Sequence, residues 1–211
     1  MEKIFDFLHK IEKLKSTLRF SGRAIKGRPE SSAEHSWRLT LMVFVFAEEL
    51  KLDLDVNHAV RMAIVHDLAE AITGDIDALD IYDGKVSKEE KEKMEIAAMD
   101  ELRDTLPDGL GSDIYGLWQE YVEGETREAR FVKALDKIET LTQVYEAGHE
   151  FYIRPDFIPN YADQAVKKFP ELIESLMIVK RKLKTEYAKG GLEWKDGYDE
   201  IIQTVYSHTT I

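Results

Sequence analysis

The stretch "AIVHDLAEAITGDI" spans residues 63–76, and its two halves pull in different directions. The apolar half extends a 3.6-residue stripe of Val56, Val60 and Ala63, the mark of a helix with one buried face. The polar half sets His66 beside Asp67 and adds Glu70, Asp75 and Asp77 within a few residues. His66 and Glu70 are four apart and Asp67 and Glu70 three apart, so on a helix each pair shares a face. Asp67 also continues the buried stripe. Charge placed on a buried face is costly unless something compensates it, so the segment needs a partner from elsewhere in the chain.

Working outward, nearly every segment carries the helical period and none alternates convincingly at period two. The spacing predicts a helix over 2–18 with Ile4, Leu8, Ile11, Leu14 and Leu18 inside, then a Gly- and Pro-punctuated loop over 21–30. "SSAE" at 31–34 is a capping box, with Ser31 as N-cap and Glu34 reaching back. The helix it opens carries Leu39, Met42, Val43, Phe46 and Leu50 on its inner stripe. Asp53 or Asp55 starts a third helix that runs to Gly74, and residues 75–86 form a polar loop with Asp77 on its surface. Further helices are expected over 87–106, about 114–122, 125–147, 165–187 and 194–206, with "YIRPDFIPNY" at 152–161 as a loop or lid. These expectations describe an all-α chain, a single helical bundle over 1–211 with its core at about 10–150 and residues 151–211 packed upon it.

Composition narrows the function. The 211 residues suffice for a substantial core. A net charge of −12 argues against broad nucleic-acid binding. The absence of cysteine excludes disulfides and thiolate zinc sites and fits a reducing compartment. The longest apolar run, "LTLMVFVFA" at 39–47, is too short to span a bilayer. A soluble, cytoplasmic protein with no membrane partner is the expectation. One basic segment, Lys13–Arg28, departs from the acidic trend; most of it reads as solvated surface, with one or two cations available to hold an anion.

Two more polar residues stand on or beside inner stripes. His35 lies four residues before Leu39, and Asp136 sits beside Val132, Leu135 and Ile138. Singly, each reads as a hydrogen-bonded core residue or a cap. Together, several imidazoles and carboxylates in one core repel or desolvate one another unless a cation lies between them. Imidazole and carboxylate without thiolate suit Mn²⁺, Fe²⁺, Co²⁺, Ni²⁺ or Zn²⁺, and four protein ligands would leave positions open for water and substrate. Spacing permits that convergence without establishing it. His9, His58 and His149 have no arguable partner.

His35…His66-Asp67…Asp136 resembles the H…HD…D signature of the HD-domain metal-dependent phosphohydrolases. "SAEHSWR", "HDLAEAITGDI" and "FVKALDKIE" are similar to the corresponding segments of the 5′-deoxynucleotidase branch, and "LKSTLRF" resembles its arginine–aromatic pair. The likeness covers residues 10 to about 150. It implies an HD-type helical bundle in which His35, His66, Asp67 and Asp136 hold one divalent metal. Glu70 and Asp75 would position or deprotonate the attacking water. Arg19 would bind the 5′-phosphate, with Phe20 beside it where bacterial members carry tryptophan. The implied substrate is a nucleoside 5′-monophosphate, and the implied assembly a homodimer, for which the first and last helices are the candidates. Two alternatives stay open: hydrolysis of another phosphate ester or pyrophosphorylated nucleotide, and a non-catalytic regulator binding a nucleotide or a protein.

Overall fold

The computed structural model describes residues 1–19, 27–152 and 154–201. Phe20 and the expected end helix beyond residue 201 fall outside them. Among the described residues ten α-helices follow in order: α1 Glu2–Ile11, α2 Ser32–Glu49, α3 Val56–Val65, α4 Glu70–Thr73, α5 Ala78–Tyr82, α6 Lys88–Thr105, α7 Asp108–Glu123, α8 Arg127–Ala147, α9 Asp163–Lys167 and α10 Ile173–Lys189. Short 3₁₀ turns join several of them. Among the described residues the sole β feature is an isolated bridge between Leu18 and Ser31.

The longest helix, α8, is the axis of the fold. It contacts α2, α3, α7 and α10 and buries Phe131, Val132, Leu135, Ile138, Leu141 and Val144. A helix buried around most of its girth is stable only where others cover it, and these four do so. The stripe of α2 buries Leu39, Val43 and Ala47, while Leu50 stays exposed at its end. Both capping boxes, Ser31 with Glu34 and Ser87 with Glu90, are formed. Helix α7 begins earlier than its apolar pattern suggested, directly after Pro107. Gly111 lies in its second turn, where a Cβ would collide with the Arg103 carbonyl oxygen of α6; the two helices approach that closely because the position has no side chain.

Four expectations are corrected. The first helix ends at Ile11 and passes into a 3₁₀ turn, so Leu8 and Leu18 are exposed and Phe7 takes the buried place. The expected helix over 165–187 is divided, because Pro170 cannot donate to a helical ladder. The 194–199 segment is a 3₁₀ turn at Asp196–Asp199. The fourth correction concerns the opening stretch. Helix α3 stops at Val65, and His66–Ala69 form a tighter turn in which Leu68, Glu70 and Ala71 donate to carbonyls three residues back. Gly74, at φ +74°, then ends the short α4.

Where α1, α2 and α3 meet, Phe5, Trp37, Leu41, Phe44 and Ile64 stay exposed along a groove of about 1110 Å³. No helix among the described residues is long and apolar enough to cross a membrane.

Candidate functional site

The tight turn at 66–69 has a chemical consequence. Adjacent residues on a regular α-helix point about 100° apart, yet His66 Nε2 and Asp67 Oδ2 lie 3.1 Å from each other. Across from them, His35 of α2 places its Nε2 3.3 Å from His66 Nε2. The same His35 nitrogen is 3.2 Å from Asp136 Oδ1 of α8 and 3.8 Å from Asp67 Oδ2. His35, His66 and Asp136 therefore bring one donor atom each to a single buried point, with Asp67 at its edge.

The outer nitrogens decide what the inner ones can do. His66 Nδ1 donates to the Ala63 carbonyl oxygen at 2.8 Å. His35 Nδ1 donates to Glu139 Oε2 in a short contact. A carbonyl and a carboxylate can only accept, so a neutral form of either ring carries its proton outward and its lone pair inward. Two lone pairs and two carboxylates facing one another require a cation between them. The chain itself favours positive charge there. Burial and Arg19 oppose protonation of His35, but Glu139 and Asp136 outweigh them and push its pKa up to about 10. Burial likewise opposes ionisation of Asp136, but Lys137 and His35 hold it well below the ordinary carboxylate range. The donor set, its convergence and the carbonyl- and carboxylate-held rings fit a divalent metal of the imidazole- and carboxylate-binding kind.

Arg19 is buried beside this point. It donates to Asp67 Oδ2 at 2.8 Å and to Thr140 Oγ1 at 3.4 Å, so in this state its guanidinium is held by Asp67. Glu70 begins α4 and accepts from the Ser32 hydroxyl at 2.5 Å. Burial, with Asp67 and Asp75 nearby, pushes its carboxyl well above the ordinary range. Asp75, set by the turn at Gly74, has a buried Oδ2 that makes no hydrogen bond. These groups line a single cavity of about 980 Å³.

A family model described as an HD domain matches residues 11–172. The chain belongs to the HD domain family. The 5′-deoxynucleotidase HDDC2 of Xenopus laevis is 39% identical to it over 149 residues, 70% of each chain. The protein of the same name from Danio rerio is 32% identical over 200 residues, 93% of this chain and 96% of its own. A crystal structure described as a predicted metal-dependent phosphohydrolase from Magnetospirillum magnetotacticum superposes with a TM-score of 0.74 at 26% identity, covering 91% of this chain and 95% of that one.

Within this HD domain the structure brings together six of the residues singled out in the sequence as ligand or acid candidates: His35, His66, Asp67, Glu70, Asp75 and Asp136. Arg19 joins them, and Phe20 lies outside the described residues. Sequence reasoning missed Glu139, which stands three residues after Asp136 and so on the same face of α8; that spacing was the available signal. It also missed Ser32, and Tyr121 and Lys137, which both donate to Asp136 Oδ2, at 2.8 and 2.9 Å. Two histidines expected to lack partners have them: His58 Nε2 is 2.7 Å from Glu120 and His149 Nδ1 is 3.5 Å from Glu186. Asp77 is the N-cap of α5 rather than plain surface, accepting from the Leu79 amide at 2.8 Å. The 152–161 segment borders the cavity through Asp156, Phe157, Asn160 and Tyr161.

Proposed function

We propose that the chain is a metal-dependent phosphomonoesterase that hydrolyses nucleoside 5′-monophosphates, deoxy forms above all, to nucleoside and phosphate. The observation that carries this reading is the inward convergence of His35, His66 and Asp136 at the floor of a cavity that also exposes Arg19, Glu70 and Asp75. His35, His66, Asp67 and Asp136 would hold one divalent ion, of Co²⁺, Mn²⁺, Ni²⁺, Fe²⁺ or Zn²⁺ character. When bound, such an ion lowers the pKa of a coordinated water and neutralises charge on phosphoryl oxygens.

The remaining work falls to side chains. Arg19 would offer two parallel donors to the phosphate in place of Asp67, and Asp67 would help hold the metal. Glu70 Oε2 is oriented by the Ser32 hydroxyl, and its raised proton affinity suits it to take a proton from the attacking water. Asp75 presents its bare oxygen to the same water. The water oxygen bonds to phosphorus, the bond from phosphorus to the 5′-oxygen breaks, and the 5′-oxygen leaves carrying the proton that Glu70 took from the water. The 5′-deoxynucleotidase names of the relatives support the substrate class.

The expected homodimer belongs to this reading too. The apolar groove of α1, α2 and α3 is where a second copy would cover Phe5, Trp37 and Phe44, and its rim carries both signs in Glu12, Lys15 and Glu48. Light scattering is expected to give twice the chain mass, and the chain mass for Trp37→Glu; a monomeric wild type contradicts this.

The test of function is phosphate release by Co²⁺- or Mn²⁺-loaded protein from ribo- and deoxynucleoside monophosphates. Release that chelation abolishes is expected. Release from simple phosphate esters alone, or none with metal bound, overturns the assignment.

A further inference from the structure

A phosphate and its metal would fill only the floor of the 980 Å³ cavity. The opposite wall has a different chemistry. Tyr82 ends α5, and Phe157 and Tyr161 come from the segment before α9. Their rings touch in series, with centroids 5.0 Å apart for Tyr82–Phe157 and 5.3 Å for Phe157–Tyr161. The two segments are far apart in sequence and are clipped together. Arg154 pairs with Asp83, and its guanidinium lies 5.0 Å from the Tyr82 ring centroid.

The row is also tied to the floor. Lys137 Nζ is 2.9 Å from Asp136 Oδ2 and 5.1 Å from the Tyr161 ring centroid, so one lysine ammonium links the cluster to the first ring of the row. Asn160 between these rings is held from behind, accepting from the buried Lys180 Nζ at 3.4 Å and donating to the Gly197 carbonyl oxygen at 3.5 Å. Gln164, one helical turn beyond, lines the same cavity. A built wall of aromatic faces with a side-chain amide, in the same cavity as the anion and metal floor, matches a flat heteroaromatic ring. Aromatic faces stack any base, and amides offer both donors and acceptors to its edge.

We propose that Tyr82, Phe157 and Tyr161 form the nucleobase subsite, with Gln164 at the base edge, and that this subsite sets the preference for nucleotides over other phosphate esters. This rests on the phosphomonoesterase reading and assigns residues 152–164 a role in substrate choice. A base stacked equally in the ground and transition states contributes uniform binding, which falls on KM and spares kcat for nucleotides.

The experiment compares kinetics on 2′-deoxyadenosine 5′-monophosphate and on 2-deoxyribose 5-phosphate, which has no base. Phe157→Ala is expected to lower the preference for the nucleotide about tenfold through KM, the loss of one stacking face, and Phe157→Tyr to restore it. Tyr82→Ala, at a more exposed position, is expected to act in the same direction and guards against misfolding at Phe157. Equal loss on both substrates, or an unchanged preference in both alanine variants, overturns the subsite. If the wild type cleaves neither substrate, the phosphatase reading fails separately. Calorimetry with 2′-deoxyadenosine then decides the subsite: binding weakened by Phe157→Ala supports it, and equal or absent binding overturns it.

Discussion

At the scale of the residue, the site depends on where protons are kept. Glu139 accepts from His35 Nδ1 and so turns His35 Nε2 toward the cluster, and Arg38 donates to the same carboxylate through Nε at 2.5 Å. Burial opposes the charge on Glu139, but His35 and Arg38 more than offset it and keep it ionised. Carboxylates that orient a ligating imidazole typically contribute 10–100-fold in metal affinity. Glu139→Gln keeps the shape but allows the amide to present either group to His35, so metal affinity is expected to fall by about that factor in a competitive chelator titration. Unchanged affinity would remove Glu139 from the site. His35, His66, Asp67 and Asp136 were legible in sequence because each puts a polar group on or beside an apolar stripe. Glu139 was not, since a glutamate on a helix rich in charge gives no sign that it is wholly buried.

At the scale of the element, the capping box of α2 both starts the helix that carries His35 and fixes its first turn. Glu34 accepts from the Ser31 amide at 3.0 Å and from Arg28 Nη1 at 2.8 Å. Its hydrogen bonds with Arg28 outweigh its slight burial and bring its pKa from 4.5 down to about 2. A folded-state pKa below the ordinary value means stability present above pH 4.5 and lost as pH falls towards 2. Glu34→Gln retains a capping side chain but loses the exposed ion pair, so it should be less stable than wild type at neutral pH by at most about 1 kcal/mol. Urea unfolding at stepped pH is expected to show the two curves converging between pH 4.5 and 2; a constant gap contradicts the assignment. The box itself was readable as "SSAE". The break at His66–Ala69 was not, because an apolar stripe marks a face and says nothing of a local change from four-residue to three-residue hydrogen bonds. That change is what lets two adjacent side chains serve one point.

At the scale of the whole molecule, the all-α class and the long α8 followed from the period of apolar residues. The assembly of residues 154–201 did not, because it turns on a buried charge. Lys180 of α10 donates to Asp163 at 2.9 Å and to the Tyr198 carbonyl oxygen at 2.6 Å, and so joins α9, α10 and the 196–199 turn. Its sequence setting, in a helix with several lysines, gives no hint that it is 1% exposed. Removing one member of such a pair strands the other, at about 3–5 kcal/mol. Lys180→Ala is expected to lower the denaturation midpoint accordingly, and a loss below about 1 kcal/mol would show that the region does not depend on this cation. The central claim, however, is that α2, the 66–69 turn and α8 converge to hold a metal whose water Glu70 deprotonates. It is tested most directly by measuring bound metal and phosphate release on the same samples of wild type and Glu70→Ala. One ion per chain is expected in both, with release from a deoxynucleoside 5′-monophosphate reduced roughly 10²–10⁴-fold in the variant; full release from metal-loaded Glu70→Ala, or release by wild type that survives removal of the metal, would overturn this role.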